Sequence, residues 1–281
     1  MSSPVATLAP RLTKPLPDIA AWTSYFRGAG IPVLTDTAEA LEALRPNEDN
    51  VDANGIGELI SNDPLMTLKV MSHVALNRSS RVVTDTETVI SALVLLGISP
   101  FFRAFGAQPT VEERLADTPE AMAGLVETMR RSHRGANFAL GFAVHRMDHD
   151  AAVLHAAALL HDFAELLLWC HAPTLALKIR DAQRADPQLR SSAAQRAVLN
   201  IELSDLQQSL MKAWRLPELL IRINDDRHAD DPSVRTVMLA LRLARHTSQG
   251  WDNAAIPDDV TDIAGLLNLS PEATLELLHG I

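Results

Sequence analysis

Cysteine is nearly absent from the chain: Cys170 is the only one in 281 residues, which excludes an intramolecular disulfide and any cysteine-rich zinc site. It ends the run Leu166-Leu167-Leu168-Trp169-Cys170, a setting that predicts a buried, inert thiol. Aromatic residues make up only 4%, leaving few stacking platforms for single-stranded nucleic acid or sugars. Basic charge is in deficit, with 25 Lys and Arg against 35 Asp and Glu, a net charge of −10 and a pI near 5.4. Such a balance repels phosphate backbones and anionic lipid, so neither nucleic acid nor membrane is expected as a partner. No window holds ~18 consecutive apolar residues. The richest, Ala151 to Cys170, is interrupted by His155, His161, Asp162 and Glu165, so it does not read as a membrane span. The opening Met1-Ser2-Ser3-Pro4 carries no basic segment followed by an apolar one, so no secretory signal is expected. These features predict a soluble, cytoplasmic protein.

What is present is helical patterning. Hydrophobic content of 47% with 21% charged residues describes a folded protein of one large or two small domains. Prolines at 4, 10, 15 and 17 predict an extended, poorly ordered leader over residues 1–16. A short helix follows from Ile19 to Arg27, ended by Gly28 and Gly30, and Thr35 or Asp36 is placed to cap the next. Asn54 to Ser61 reads as helical. Asp63-Pro64 then has the identity of a helix start, with Leu65, Leu68, Met71 and Ala75 forming an apolar stripe. Thr84 and Glu87 have capping-box spacing ahead of Val89 to Leu93, and Gly97 suits the end of that helix.

Residues 108–119 are polar and contain two prolines, a candidate boundary between two helical halves. Beyond it, Ala121 to Arg146 and Ala151 to His171 each read as one long helix, the second apolar on nearly every face. Ser192 to Trp214, Pro217 to Asn224 and Ser233 to Thr247 give three more. Pro257-Asp258 and Ser270-Pro271-Glu272 open the last two. No strand is convincing, and the fold class expected is all-α.

Familiar catalytic signatures are missing. Gly55-Ile56-Gly57 has no strand before it, and there is neither a GxSxG elbow nor an HExxH pair. Of ten histidines, His145 and His149 are four apart but sit among Arg146, Asp148 and Asp150, which reads as a solvated helix end. His73 and His155 lack an obvious partner and read as core or supporting residues. His161-Asp162 differs, because burying a charged pair on the most apolar helix costs several kcal/mol unless a metal or a hydrogen-bonded partner compensates. Neighbouring residues on one helix point about 100° apart, so both could face one ion.

The segment Asp63-Pro64-Leu65-Met66-Thr67-Leu68-Lys69-Val70-Met71 resembles the DPxLxxxLL motif of the HDOD family, HD-related output domains of bacteria. Ala92-Leu93-Val94-Leu95-Leu96-Gly97, then Leu159-Leu160-His161-Asp162-Phe163-Ala164-Glu165-Leu166, then Trp214-Arg215-Leu216-Pro217 resemble three further family motifs in the same order. The family's Asn-Ser after the first motif is displaced, with Asn77 two residues late.

This resemblance implies a leader with a short helix over 1–24 and an HDOD-like domain over 25–245. Within that domain, a small N-terminal helical lobe (25–107) would pack on a larger HD-like bundle (120–245), which residues 246–281 complete. It also implies a regulatory role in signalling, usually without catalysis. By the same resemblance, the first histidine of catalytic HD enzymes falls on Arg131, with His133 turned about 200° away on the helix. The late His-His pair becomes Arg227-His228, the late Asp falls on Arg242, and a further histidine position falls on Leu203.

The remnant HD site is therefore His161, Asp162 and His228, with Arg131 and Arg242 where cations would otherwise bind. No metal and no cofactor is expected, since like charge opposes metal binding. On sequence, Arg131 or Arg242 pairs with Asp162, or a remnant metal site survives, or these residues make no contact. Two functions follow: a non-catalytic module that binds a protein partner, or a metal-dependent phosphohydrolase acting on a nucleotide or cyclic dinucleotide. Trp22, Tyr25 and Phe26 are expected to dock on the domain's own surface.

Overall fold

The computed structural model describes residues 7–78 and 86–281. Among these residues the regular elements are helical, with one isolated parallel bridge between Val33 and Thr110, as the all-α expectation requires. The first eight helices are α1 (Ile19–Gly28), α2 (Thr35–Leu44), α3 (Ala53–Ile60), α4 (Pro64–Asn77), α5 (Val89–Leu96), α6 (Ile98–Ala104), α7 (Val111–Arg114) and the long α8 (Pro119–His145). Next come α9 (Ala151–Leu160), α10 (Phe163–His171), α11 (Pro173–Ala185), α12 (Ser191–Leu199) and α13 (Leu203–Ala213). α14 (Glu218–Ile223), α15 (Pro232–His246), α16 (Ile256–Leu267) and α17 (Pro271–Gly280) complete the order. Short 3-10 turns lie at Arg45–Asn50 and Asp226–His228.

Two compact units emerge, each built from separated stretches of chain. The first comprises Met1–Thr128 and Asp162–Pro217, the second Met129–His161 and Glu218–Ile281. Both sides of the polar stretch 108–119 fall in the first unit. One border between the units passes between His161 and Asp162.

Local chemistry explains several helix ends. Asp63 caps α4: its Oδ1 accepts from the amides of Leu65 and Met66, each at 2.9 Å, and its Oδ2 from Leu34 at 2.8 Å. Burial pushes the Asp63 carboxyl pKa up, against the pull of these amides. Gly97, at φ +84°, closes α5 in a backbone region that favours glycine. The cap of α5 is Thr88 with Ser91, in a reciprocal capping box. Of the pair expected there, Thr84 lies outside the described residues. α2 begins after Leu34 without a side-chain cap, because Thr35 instead donates its amide and hydroxyl to Glu112 Oε2 at 3.0 and 2.8 Å.

Two helices expected to be continuous are each split. The stretch from Ser192 to Trp214 breaks at Asn200, whose φ of +66° is one that asparagine tolerates better than most residues. The stretch Ala151–His171 breaks at His161-Asp162. That stretch is long and apolar enough to cross a membrane by composition alone, and 67% of its richest window is buried within the protein. α6, α7 and α11 were not anticipated.

The leader departs furthest from expectation. Residues 7–16 are extended but pinned within the first unit, with the Ala9 amide donating to Ala29 O at 2.9 Å and Leu12 to His171 O at 2.7 Å. Proline blocks helix formation, yet an extended segment can still be held through its remaining main-chain groups. Trp22 and Phe26 are buried in the same unit, and Trp22 Nε1 donates to Leu199 O at 3.0 Å. Lys69 is also inside: its Nζ donates to Ile31 O at 2.7 Å and to Gln108 Oε1, and burial lowers its pKa to about 8. In the second unit, Gly135 lets α8 and α15 approach, since a Cβ there would meet Leu241 Cδ2 at 2.6 Å.

Candidate functional site

His161 and Asp162 stand in a turn between two helices. His161 follows the last residue of α9 with helical angles, while Asp162, at φ −103° and ψ 19°, precedes the first residue of α10. The Asp162 carbonyl accepts from the amides of Glu165 and Leu166 at 3.0 and 3.1 Å, opening α10. Aspartate is a favoured N-cap identity, and Glu165 three residues on was the available sign of a helix start here. The geometry of two neighbours on one continuous helix therefore does not apply to this pair.

In the second unit, His161 Nε2 lies 3.2 Å from Asp226 Oδ1. His228 takes a different carboxylate, with Nδ1 3.3 Å from Asp225 Oδ2. Asp225 is also gripped by Arg227 through Nε at 2.7 Å and Nη2 at 2.9 Å. That guanidinium holds the Asp225 carboxyl below the usual carboxylate range. The sequence reading missed Asp225 and Asp226, although the polar run Asn224-Asp225-Asp226-Arg227-His228 was visible.

Arg242 does not pair with Asp162 as had been one expectation. Its Nη2 lies 2.5 Å from Asp262 Oδ2, and its Nε 2.7 Å from Asp259 Oδ1 without the alignment of a hydrogen bond. Asp259 is buried, and its second oxygen lies 2.6 Å from His246 Nδ1. A buried carboxylate needs such partners, and Arg242 and His246, four apart on α15, supply them to α16. Arg131 is half-buried on α8 in the second unit. His155 is half-buried too, and its pKa is lowered by burial first and by His133 second.

The remaining histidines take structural or solvent-exposed places. His145 and His149 are both exposed, at and beyond the end of α8. His73 meets the Phe105 ring edge-on at 5.1 Å between centroids, and burial lowers its pKa. Cys170 is a buried free thiol whose pKa burial pushes up. Among the described residues, no group of three or more His, Cys, Asp or Glu side chains is arranged to hold a metal ion.

An all-α chain in which a His-Asp pair closes one helix and opens the next has the architecture of an HD-like domain. The HDOD domain matches residues 31–229, and the chain belongs to the HDOD family of signalling-related domains. That match ends before Arg242, Asp259 and Asp262.

Among solved structures, the chain is similar to the MmoQ response regulator of Methylococcus capsulatus. The two share 20% identity with a TM-score of 0.67, over 89% of this chain and 98% of that one. It is also similar to a virulence factor of Campylobacter jejuni, at 17% identity and a TM-score of 0.61, over 93% and 97% of the two chains. At such identities the likeness concerns the fold. No curated protein matches the chain.

Proposed function

We propose that this chain is a non-catalytic regulatory module of bacterial signal transduction that acts in the cytoplasm by binding a protein partner. The observation that carries this reading is the separation of the two remnant histidines onto different carboxylates, His161 on Asp226 and His228 on Asp225. A hydrolytic metal centre activates water and stabilises charge developing on phosphorus, and it needs several ligands converging on one ion. Here the ionisable groups are spent on one another. Arg242, placed by the family resemblance where a late carboxylate would stand, adds a cation held by Asp259 and Asp262.

The test is an assay against a phosphomonoester, a phosphodiester and a cyclic dinucleotide, with manganese, iron or magnesium present. The expected outcome is no turnover above buffer, with the wild type and His161→Ala indistinguishable. Turnover abolished by His161→Ala would overturn the reading in favour of a metal-dependent phosphohydrolase. The partner side is tested by crosslinking in the producing cell, where one reproducible adduct is expected and repeated absence of any adduct would count against it.

A further inference from the structure

The first unit holds residues 7–17 chiefly through that segment's own main chain. The Ala9 amide donates to Ala29 O, and Arg114 Nη2 donates to Ala9 O at 2.6 Å. Tyr25 Oη donates to Pro10 O at 2.7 Å, the Leu12 amide to His171 O at 2.7 Å, and Asn200 Nδ2 to Leu16 O at 3.0 Å. One strap side chain adds an ion pair, Arg11 Nη1 to Asp117 Oδ1 at 2.7 Å.

Beneath the strap, Arg114 Nε is fixed by Cys170 O at 3.1 Å, and His171 Nε2 lies 2.9 Å from Gly30 O. Burial and Arg114 together push the His171 pKa down to about 4, so at neutral pH Arg114 supplies the fixed positive charge under the strap's carbonyls. Leu8, Leu12 and Leu16 are only half-buried, while Pro10, Lys14 and Pro15 are exposed. The apolar anchorage is therefore shallow, and the polar anchorage is mostly of a kind that any extended chain can offer.

Main-chain pairing with shallow side-chain pockets is how extended peptides are recognised in general. The strap itself defines which peptides suit the groove. Pro10 falls where only a carbonyl is used, Arg11 follows it, and Asp117 receives the charge of Arg11. An acidic chain of net charge −10 complements a basic segment of this sort.

We propose that this groove is a docking site for an extended, proline-containing, basic segment of the partner protein, and that residues 7–17 occupy it in cis. The proposal rests on the protein-partner reading above and names the surface and the chemistry of the partner. While the strap is seated, the groove is closed to competitors, and weakening the strap exposes it.

The experiment uses the intact chain and a fluorescently labelled synthetic peptide with the sequence of residues 7–17, followed by anisotropy. Arg11→Glu removes the ion pair to Asp117 and turns it repulsive, so this variant should bind the peptide about tenfold more tightly than wild type if it raises the groove's open fraction tenfold. A peptide whose arginine is replaced by glutamate loses the contact to Asp117 and should bind the Arg11→Glu chain more weakly than the original peptide does, while a scrambled peptide should bind neither chain. Hydrogen exchange gives a second readout within the wild-type fold: saturating peptide should expose the Ala9 and Leu12 amides. Equal binding by wild type and Arg11→Glu, or amides that stay protected at saturation, would overturn the proposal. Such a failure, with crosslinking to a partner intact, removes the groove and leaves the regulatory reading standing. Phosphate-ester turnover removes that reading whatever the peptide does.

Discussion

Asp63 in the first unit and Asp259 in the second are both buried carboxylates, but their partners differ in kind. Asp63 is surrounded by backbone amides, two from the helix it caps and one from Leu34. Asp259 is matched by two side chains, Arg242 and His246, from the neighbouring helix. Amides are fixed and carry no net charge, so the first arrangement is little affected by salt. The second depends on two flexible side chains that water also reaches, so it is weaker and open to screening. The first unit thus holds its buried carboxylate by cap geometry, while the second holds its own by side chains of a neighbouring helix.

The largest effect that tests this contrast is expected from Asp63→Ala. It leaves three amide donors without their acceptor, two of them buried, and should cost about 3–5 kcal/mol of stability in urea unfolding. Asp63→Asn, which keeps one oxygen, should cost less.

A second test uses His171, whose pKa falls from 6.5 to about 4 in the folded chain. A depressed folded value means that the unfolded chain binds the proton first as pH falls. The contribution is therefore complete above pH 6.5 and is lost progressively as pH drops through 4, by an amount on the order of 3 kcal/mol. Thermal unfolding across that window should show this slope, and His171→Gln should flatten it.

Asp259→Ala should cost only about 1–2 kcal/mol, since Arg242 keeps Asp262 and both partner side chains are partly exposed and can turn to solvent. In 1 M salt that cost should shrink while the cost of Asp63→Ala holds. A result in which both variants respond equally to salt would erase the distinction. The smallest effect is expected from Tyr25→Phe, which removes one exposed hydrogen bond to Pro10 O and should cost about 1 kcal/mol or less by denaturant unfolding.

The same contrast explains what could be read without a structure. Asp63-Pro64, Gly97 and Ser270-Pro271 announce helix ends because caps are satisfied by residues two or three positions away, and each ends a helix as expected. Asn200 and Asp162 broke helices expected to be continuous: each lies within a long apolar pattern that runs on past it, and the local sign at Asp162, Glu165 three residues on, was passed over. Pairs between helices left no local sign: Arg242 and Asp259 are separated by sixteen residues, and His161 and Asp226 by many more. Arg242 was singled out from the family resemblance, but its partners were not foreseen. The leader was misjudged for a related reason. Its prolines do forbid a helix, but whether such a segment is loose depends on Arg114, Tyr25 and His171, which lie far along the chain.

The central claim is that the two remnant histidines and Arg242 are taken up by neighbouring carboxylates, Asp225, Asp226, Asp259 and Asp262, and serve no metal. Elemental analysis tests it most directly, on protein purified without chelator and again after incubation with manganese and iron. The account predicts no bound metal above background in either preparation, with His161→Ala identical to wild type. One or more ions per chain, lost on His161→Ala, would contradict it.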